Sequence, residues 1–516
     1  MMIRIRSSPL YLLAGAVVLF SACIPRDAAA AFVAPTHTTD HDGTRATRIR
    51  RASTPTTDSA SQQHDSDATS SSSGCPFSMA FPRYRIDLSS EKAAKKRFGS
   101  VKRGLGLFSG IKQGIDKATI ERRYAKEARD GRLVFVDCTV DTNTLQTAKG
   151  ELSGAEETSD LKKGNVSDEE WLSGLAGLRA IAQFWRIIAD IADEDDSRLQ
   201  PNQRKVISFV GATPLQIQRL TDIASWLEEN MMGDTLHLCI DPDGEMPMPT
   251  IVIESRKTEA NEAPVTDTSK DLPSAHVVEE RIKTWVRRVL IDLKICPFTK
   301  SDSRSGQGLS EFAIPTGRIS YQYSKAGPSN IPRLMADCWE GILEMAEAGP
   351  GGKTGISSIL LAAPLFDDKF TLWSGPVFTM LEAGVGAAGA EPIIGVVCFH
   401  PRYATPDGSS WPGFGHMHSV PRLRKWMDEQ DPQLSAKLSD DLIAAGGAWQ
   451  RRTPHAVLNV LRANQLEAAE SRRQSPQMYS RNIRVLVADE EDGGIGIDAL
   501  SSDLERERNA FSSRSS

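Results

Sequence analysis

The chain of 516 residues carries 61 Lys and Arg against 67 Asp and Glu, a formal net charge of -6, with 40% apolar and 25% charged residues. That is the composition of a globular protein. An acidic balance excludes the concentrated basic surface that phosphate backbones require, so no nucleic-acid partner is expected.

The first 79 residues read as an address. Arg4 and Arg6 precede an apolar run from Leu10 to Ala22, and Ala28 to Ala31 supply small residues before Phe32. This pattern predicts a secretory signal peptide over residues 1–31. Phe32-Val33-Ala34-Pro35 then leads into a Ser/Thr-rich stretch with Arg45, Arg48, Arg50 and Arg51, a transit-peptide-like disordered segment over residues 32–79. The combination resembles the bipartite presequence of algae whose plastids lie within extra membranes. The resemblance implies a plastid location, with secretion as the alternative that Asp58, Asp65 and Asp67 favour. After removal of the presequence no stretch approaches a membrane span.

The remainder predicts an α/β (α+β) protein of two mixed-sheet domains with helices packed on the sheet, over residues 80–257 and 276–487. Leu133–Val140 reads as a strand. Ser167 with Glu170 forms a capping box that opens a helix to about Asp193. Lys205–Val210 is a second strand, and Thr213-Pro214 with Gln216 starts a second helix. Strands at Leu236–Ile240 and Thr250–Glu254 close this half. Thr258–Ser274 is polar and aperiodic, giving a linker over residues 258–275.

The second half opens on an amphipathic helix carrying Val278, Ile282, Trp285, Val286, Val289, Leu290 and Leu293 on one stripe. A short strand is expected at Phe312–Pro315, a helix at Ile331–Ala348, a strand at Ser357–Ala363, a helix at Thr371–Ala383 and an apolar strand at Ile393–His400. The repeated strand-helix order suggests distant duplication. Residues 488–516, acidic and Ser-rich, read as a disordered tail. Gly351-Gly352-Lys353-Thr354-Gly355 lacks the strand-before, helix-after context of a phosphate loop and is read as a helix-to-strand connection.

Three segments stand apart from core and surface: Ile295-Cys296-Pro297-Phe298, Phe399-His400-Pro401-Arg402-Tyr403 and Arg452-Thr453-Pro454-His455. Each places a polar or nucleophilic side chain beside a proline at the end of an apolar element, where scaffolds present chemistry. Cys296 is the candidate nucleophile and His400 the candidate acid/base. Arg452, Arg462, Tyr403 and His455 are candidate ligand-binding residues, arginine being suited to bidentate capture of an anion. The seven cysteines show no Cys-x-x-Cys pair, and no cofactor fingerprint appears. His416 and His418 lie in a Gly/Pro-rich loop, a poor preorganised metal site, so no metal or cofactor is expected.

From Val278 to Leu486 the sequence resembles the bacterial domain-of-unknown-function 1415 family. The carrying pieces are Trp285–Leu293 into Ile295-Cys296-Pro297-Phe298, the strand Leu360-Leu361-Ala362-Ala363-Pro364, Phe399-His400-Pro401-x-Tyr403, and Arg452-x-Pro454 leading to Leu461-Arg462. The resemblance implies one constellation of Cys296, His400, Arg452 and Arg462. It departs at Ala363-Pro364 and at Asn459, where the family tends to carry histidine. The expected activity is binding or processing of a small anionic metabolite in a plastid stroma, with Cys296, His400 and Arg462 converging within roughly 10 Å. The alternative is a non-catalytic interaction module of that compartment, its protein partners left open by the sequence.

Overall fold

Two short helices, α1 (Lys117–Arg123) and α2 (Ala125–Arg129), precede strand β1 (Leu133–Asp137) and helix α3 (Thr142–Lys149). The capping box forms as the sequence dictates: Ser167 N–H donates to Glu170 Oε2 at 2.7 Å and Glu170 N–H to Ser167 Oγ at 3.2 Å. It opens α4 (Asp168–Ala192), an almost wholly apolar helix that must be covered on most sides. Then follow β2 (Arg204–Val210), α5 (Pro214–Leu227), β3 (Leu236–Ile240) and β4 (Thr250–Ser255).

The second half begins with α6 (Ala275–Trp285), capped by Ser274 and continuing as a π-helical turn to Asp292. The residue pair β5 (Arg304–Ser305), strand β6 (Gly317–Tyr323), helix α7 (Ile331–Ala348) and strand β7 (Ile356–Ala362) come next. Helix α8 (Phe378–Ala388), β8 (Ile394–Phe399), α9 (Val420–Gln430), α10 (Pro432–Lys437), α11 (Asp440–Trp449) and β9 (Val457–Arg462) follow. Helices α12 (Ala463–Ser471), α13 (Ser475–Val487) and α14 (Ile497–Asn509) complete the chain.

In this computed structural model the described residues are 117–150, 167–192, 204–227, 236–240, 250–255, 272–312, 314–406, 418–471 and 475–511. The presequence, residues 258–271 of the linker, and His416 lie outside them.

Both sheets are mixed. The first has order β1-β2-β4-β3, with β1 parallel to β2 and β4 antiparallel to both its neighbours. The second has order β5-β6-β7-β9-β8, with β6 parallel to β7 and β9 antiparallel to both its neighbours. Apart from β5, the two halves share strand order and direction, the pattern that a duplication requires.

The halves meet through helices. One continuous core joins Phe209 and Ile253 of the first sheet, Leu178 and Trp185 of α4, Trp339 and Ile342 of α7, and Ile359, Val396 and Leu458 of the second sheet. The core thus crosses the polar segment that separates the halves in sequence. The contact is close because glycines permit it: a Cβ at Gly177 would lie 2.1 Å from the Ala388 carbonyl oxygen. Arg179–Glu347 at 2.6 Å and Arg333–Asp190 at 3.0 Å pair charges across the same boundary.

Strands β7, β8 and β9 of the second sheet are buried on both faces, which explains their largely apolar sequences. Ile359, Leu361 and Val460 face the shared core, whereas Leu360, Val397 and Phe399 face a second core built with α6, α9, α11 and α13. Two expectations are corrected. Phe312 ends a short 3-10 helix instead of opening a strand; the strand next in the chain is Gly317–Tyr323, read past because Ser and Gln interrupt its apolar residues. Nor is the end of the chain a disordered tail throughout: α14 buries Leu500 and Leu504, and Arg288 grips its Glu507 with two hydrogen bonds at 2.7 and 3.0 Å.

Candidate functional sites

The outer face of the second sheet and the helices that cover it do not close completely. They enclose a cavity of about 460 Å³, within the size range of small-molecule sites. Of the side chains that β6 to β9 present to it two are polar: Ser358 Oγ donates to Asn459 Oδ1 at 3.0 Å. Trp285, Phe298, Phe399, Trp426 and Tyr479 supply aromatic walls, and Arg304, Arg422 and Arg451 add positive charge. Among the described lining residues there is no Asp or Glu.

Cys296 lines this cavity and is a free thiol, half-buried. Its placement follows from how α6 ends. Lys294 adopts φ 55°, the left-handed conformation that stops a helix. The carbonyls left over are taken up by α13: Arg481 Nη2 donates to Leu293 O at 3.0 Å, Arg481 Nη1 to Lys294 O at 2.8 Å, and Asn482 Nδ2 to Ile295 O at 2.8 Å. The Cys296 segment is therefore strapped down rather than loose. His418 also lines the cavity, its ring centroid 4.6 Å from that of Trp426 and 4.5 Å from that of Tyr479.

His400 is not among the described residues lining this cavity. It is fully buried, and both ring nitrogens meet backbone: Nδ1 accepts from Arg402 N–H at 2.9 Å and Nε2 donates to Phe366 O at 2.8 Å. That pattern selects the Nε2–H tautomer and pins the turn after β8. Burial holds its pKa below the ordinary 6.5, against the raising effects of Phe366 O and Asp367. Arg462 faces the other side of the sheet. It is 2% exposed and donates to the carbonyls of Ile356, Met345 and Ala148. Met345 and Ala148 lie in the last turns of α7 and α3, where the helix dipoles are negative, so a buried guanidinium needs no carboxylate there. Arg462 is a latch between the halves.

Arg452 and His455 line a different cleft, of about 620 Å³. Arg452 stacks on Trp449 at 4.7 Å and donates from Nε to Tyr403 O at 3.2 Å, which assigns Tyr403 to holding that arginine through its backbone. His455 Nδ1 lies 2.8 Å from Asp367 Oδ2, and the other Asp367 oxygen accepts from Ala456 N–H at 2.7 Å. Of the six candidates, Cys296 thus lines one cavity, Arg452 and His455 line the other cleft, and His400, Tyr403 and Arg462 hold the frame.

Asp367 and Arg281, which also line the cleft, escaped the reading of the sequence. A signal existed for each. Asp367 follows the strand-ending Ala363-Pro364, the same kind of position that drew attention to His400. Arg281 sits on the apolar stripe of α6, between Val278 and Ile282, where a charge calls for a buried partner.

Among the described residues, no helix is long and apolar enough to cross a membrane, and no group of three or more His, Cys, Asp or Glu side chains is placed to hold a metal. No curated protein and no solved structure matches the chain. Its recognisable part is the segment of residues 277–411, which contains Cys296 and His400 and matches the family model described as protein of unknown function (DUF1415), the family its motifs resemble.

Proposed function

We propose that the protein binds a small organic anion with an aromatic or other flat apolar body in the cavity beside Cys296. The observation that carries this reading is the composition of the wall: aromatic side chains and three arginines, with no carboxylate among the described lining residues. Aromatic walls favour a flat apolar body, and an arginine in a partly water-excluded site favours a carboxylate or similar end group. Ser358 and Asn459 on the floor add neutral donors and acceptors. Cys296, held against the cavity by the straps on α6, is the group positioned for covalent chemistry on a bound ligand. His400 and Arg462 support the frame in this reading.

The test is a thermal-shift and calorimetric screen of aryl and alkyl carboxylates. A saturable response to aryl carboxylates is expected. It should disappear in Ala469→Trp, which fills the cavity from α12, and weaken at least about tenfold in Arg451→Met. A flat response across both classes would overturn the reading.

We also propose that the protein works in a plastid stroma. The presequence motifs support this, and Cys138, Cys296, Cys338 and Cys398 are free thiols suited to a reducing compartment. A fluorescent fusion after residue 80 found only in the medium would exclude it.

A further inference from the structure

We propose that the cleft around Asp367 and His455 is a second binding site, selective for a phosphoryl-type oxyanion and independent of the aromatic-walled cavity. Three guanidinium groups reach it from three separate elements: Arg281 from α6, Arg452 from the loop before β9, and Arg508 from α14. A planar carboxylate is satisfied by one arginine fork, whereas a tetrahedral anion presents oxygens in several directions and suits donors arriving from several sides.

The histidine at the centre is oriented, not loose. His455 is 3% exposed, and its Nδ1 bond to Asp367 fixes the ring. Its Nε2 lies 3.3 Å from Arg281 Nη1. Arginine can only donate, so Nε2 is the acceptor and the proton sits on Nδ1. The ring is therefore held on both sides, by Asp367 at Nδ1 and by Arg281 at Nε2, and it fixes the Arg281 guanidinium in the cleft.

Three arginines face two carboxylates in the lining of the cleft, Asp367 and Glu505, so its positive charge is incompletely offset. Asp367 is already committed to His455 and to Ala456 N–H, and its contact with Arg508 is long, 3.5 Å. Arg281 is 6% exposed; burial, and next the charge of Arg508, hold its pKa below the usual arginine range despite Asp367. Arg452 makes one hydrogen bond to another described residue, through Nε, leaving its two Nη groups for a ligand. An oxyanion entering here would relieve the repulsion between Arg281 and Arg508 and occupy the Arg452 fork.

Calorimetric titration of the full chain with inorganic phosphate, glycerol phosphate and acetate tests the proposal. Saturable one-site binding of inorganic phosphate or glycerol phosphate is expected, and whichever binds tighter separates a free-phosphate site from a phosphomonoester site. Arg452→Met and Arg508→Met should each weaken it at least about tenfold. Ala469→Trp, which blocks the other cavity, should leave it unchanged. Arg508 is 40% exposed, so its variant keeps the test valid even where Arg452→Met impairs folding. Absence of saturable phosphate binding, equal affinity in both arginine variants, or acetate binding as tightly as phosphate would each overturn the proposal.

Discussion

In the first half of the molecule the outer face of the sheet presents Val206 and Val252 to Ile120 and Tyr124, a small cluster at the α1–α2 segment. In the second half the equivalent face presents Leu360, Val397, Phe399 and Val457 to α6, α9, α11 and α13, and the wider layer encloses a cavity. Strand order and direction are the same in both. The sheet plan is thus not what makes the site. The added outer layer does so, together with the strand-end turns it covers, and both candidate cavities draw their charged groups from outside the four strands that the halves share. Even the strand ends echo this: Asp241-Pro242 follows β3 where His400-Pro401 follows β8.

The comparison is broken most severely by separating the halves, and Arg462 is the residue to remove. In Arg462→Met the carbonyls of Ala148, Met345 and Ile356 lose their donor at a buried boundary. A loss of about 3 kcal/mol in unfolding free energy is expected, from unsatisfied buried acceptors at about 1–3 kcal/mol each with partial relaxation. Denaturant unfolding measures it. A loss below about 1 kcal/mol would show that the halves hold together without this latch.

Close helix packing is the next thing to test. Gly177→Ala would set a methyl group 2.1 Å from the Ala388 carbonyl oxygen and 2.5 Å from Gln216 Nε2, which bonds that same carbonyl. Helix propensity alone predicts a gain of about 1 kcal/mol for this change. Overpacking costs about 1–3 kcal/mol and should win, leaving a net loss of about 1 kcal/mol. A variant more stable than the parent would mean that the two helices separate at little cost.

How far the sequence carried these conclusions varies with the kind of signal. Helix Ile331–Ala348 was legible because its apolar period runs into the Gly349 stop, and the structure adds the cap at its start, where Asn330 Oδ1 accepts from Arg333 N–H. The Ser167–Glu170 box was legible for the same reason, a local rule met by local residues. Strand β6 was not, since its tyrosines are half-polar and settle by long-range bonds, Tyr321 to Asp302 O at 2.5 Å and Tyr323 to Pro273 O at 3.0 Å. Helix α14 was hidden by its charge, which Arg288 neutralises from far away in the chain. Among site residues, element ends were found and their partners were not. Cys296 and His455 were visible beside prolines, but the division into two cavities depends on which face of β9 and which side of the turn each occupies. No spacing rule reports that.

The smallest effect expected is also the most specific, because it asks whether His400 is a structural pin of the second half rather than an acid/base. Burial lowers its folded-state pKa below the ordinary 6.5. The unfolded chain then binds the proton more readily than the folded one, so the stability that His400 contributes is full above about pH 6.5 and is lost as pH falls through that value toward the folded pKa. In His400→Gln that titration is gone, while the carboxylates that also drive acid unfolding remain in both proteins and cancel in the difference. The stability difference between parent and variant should therefore stay level from about pH 8 down to about pH 6.5 and shrink as the pH falls further toward about 5. Ligand binding in the aromatic-walled cavity should be little changed at neutral pH, since His400 is not among its described lining residues. A difference independent of pH, or abolished binding in a stably folded variant, would return His400 to the chemistry and dissolve the distinction between frame and site.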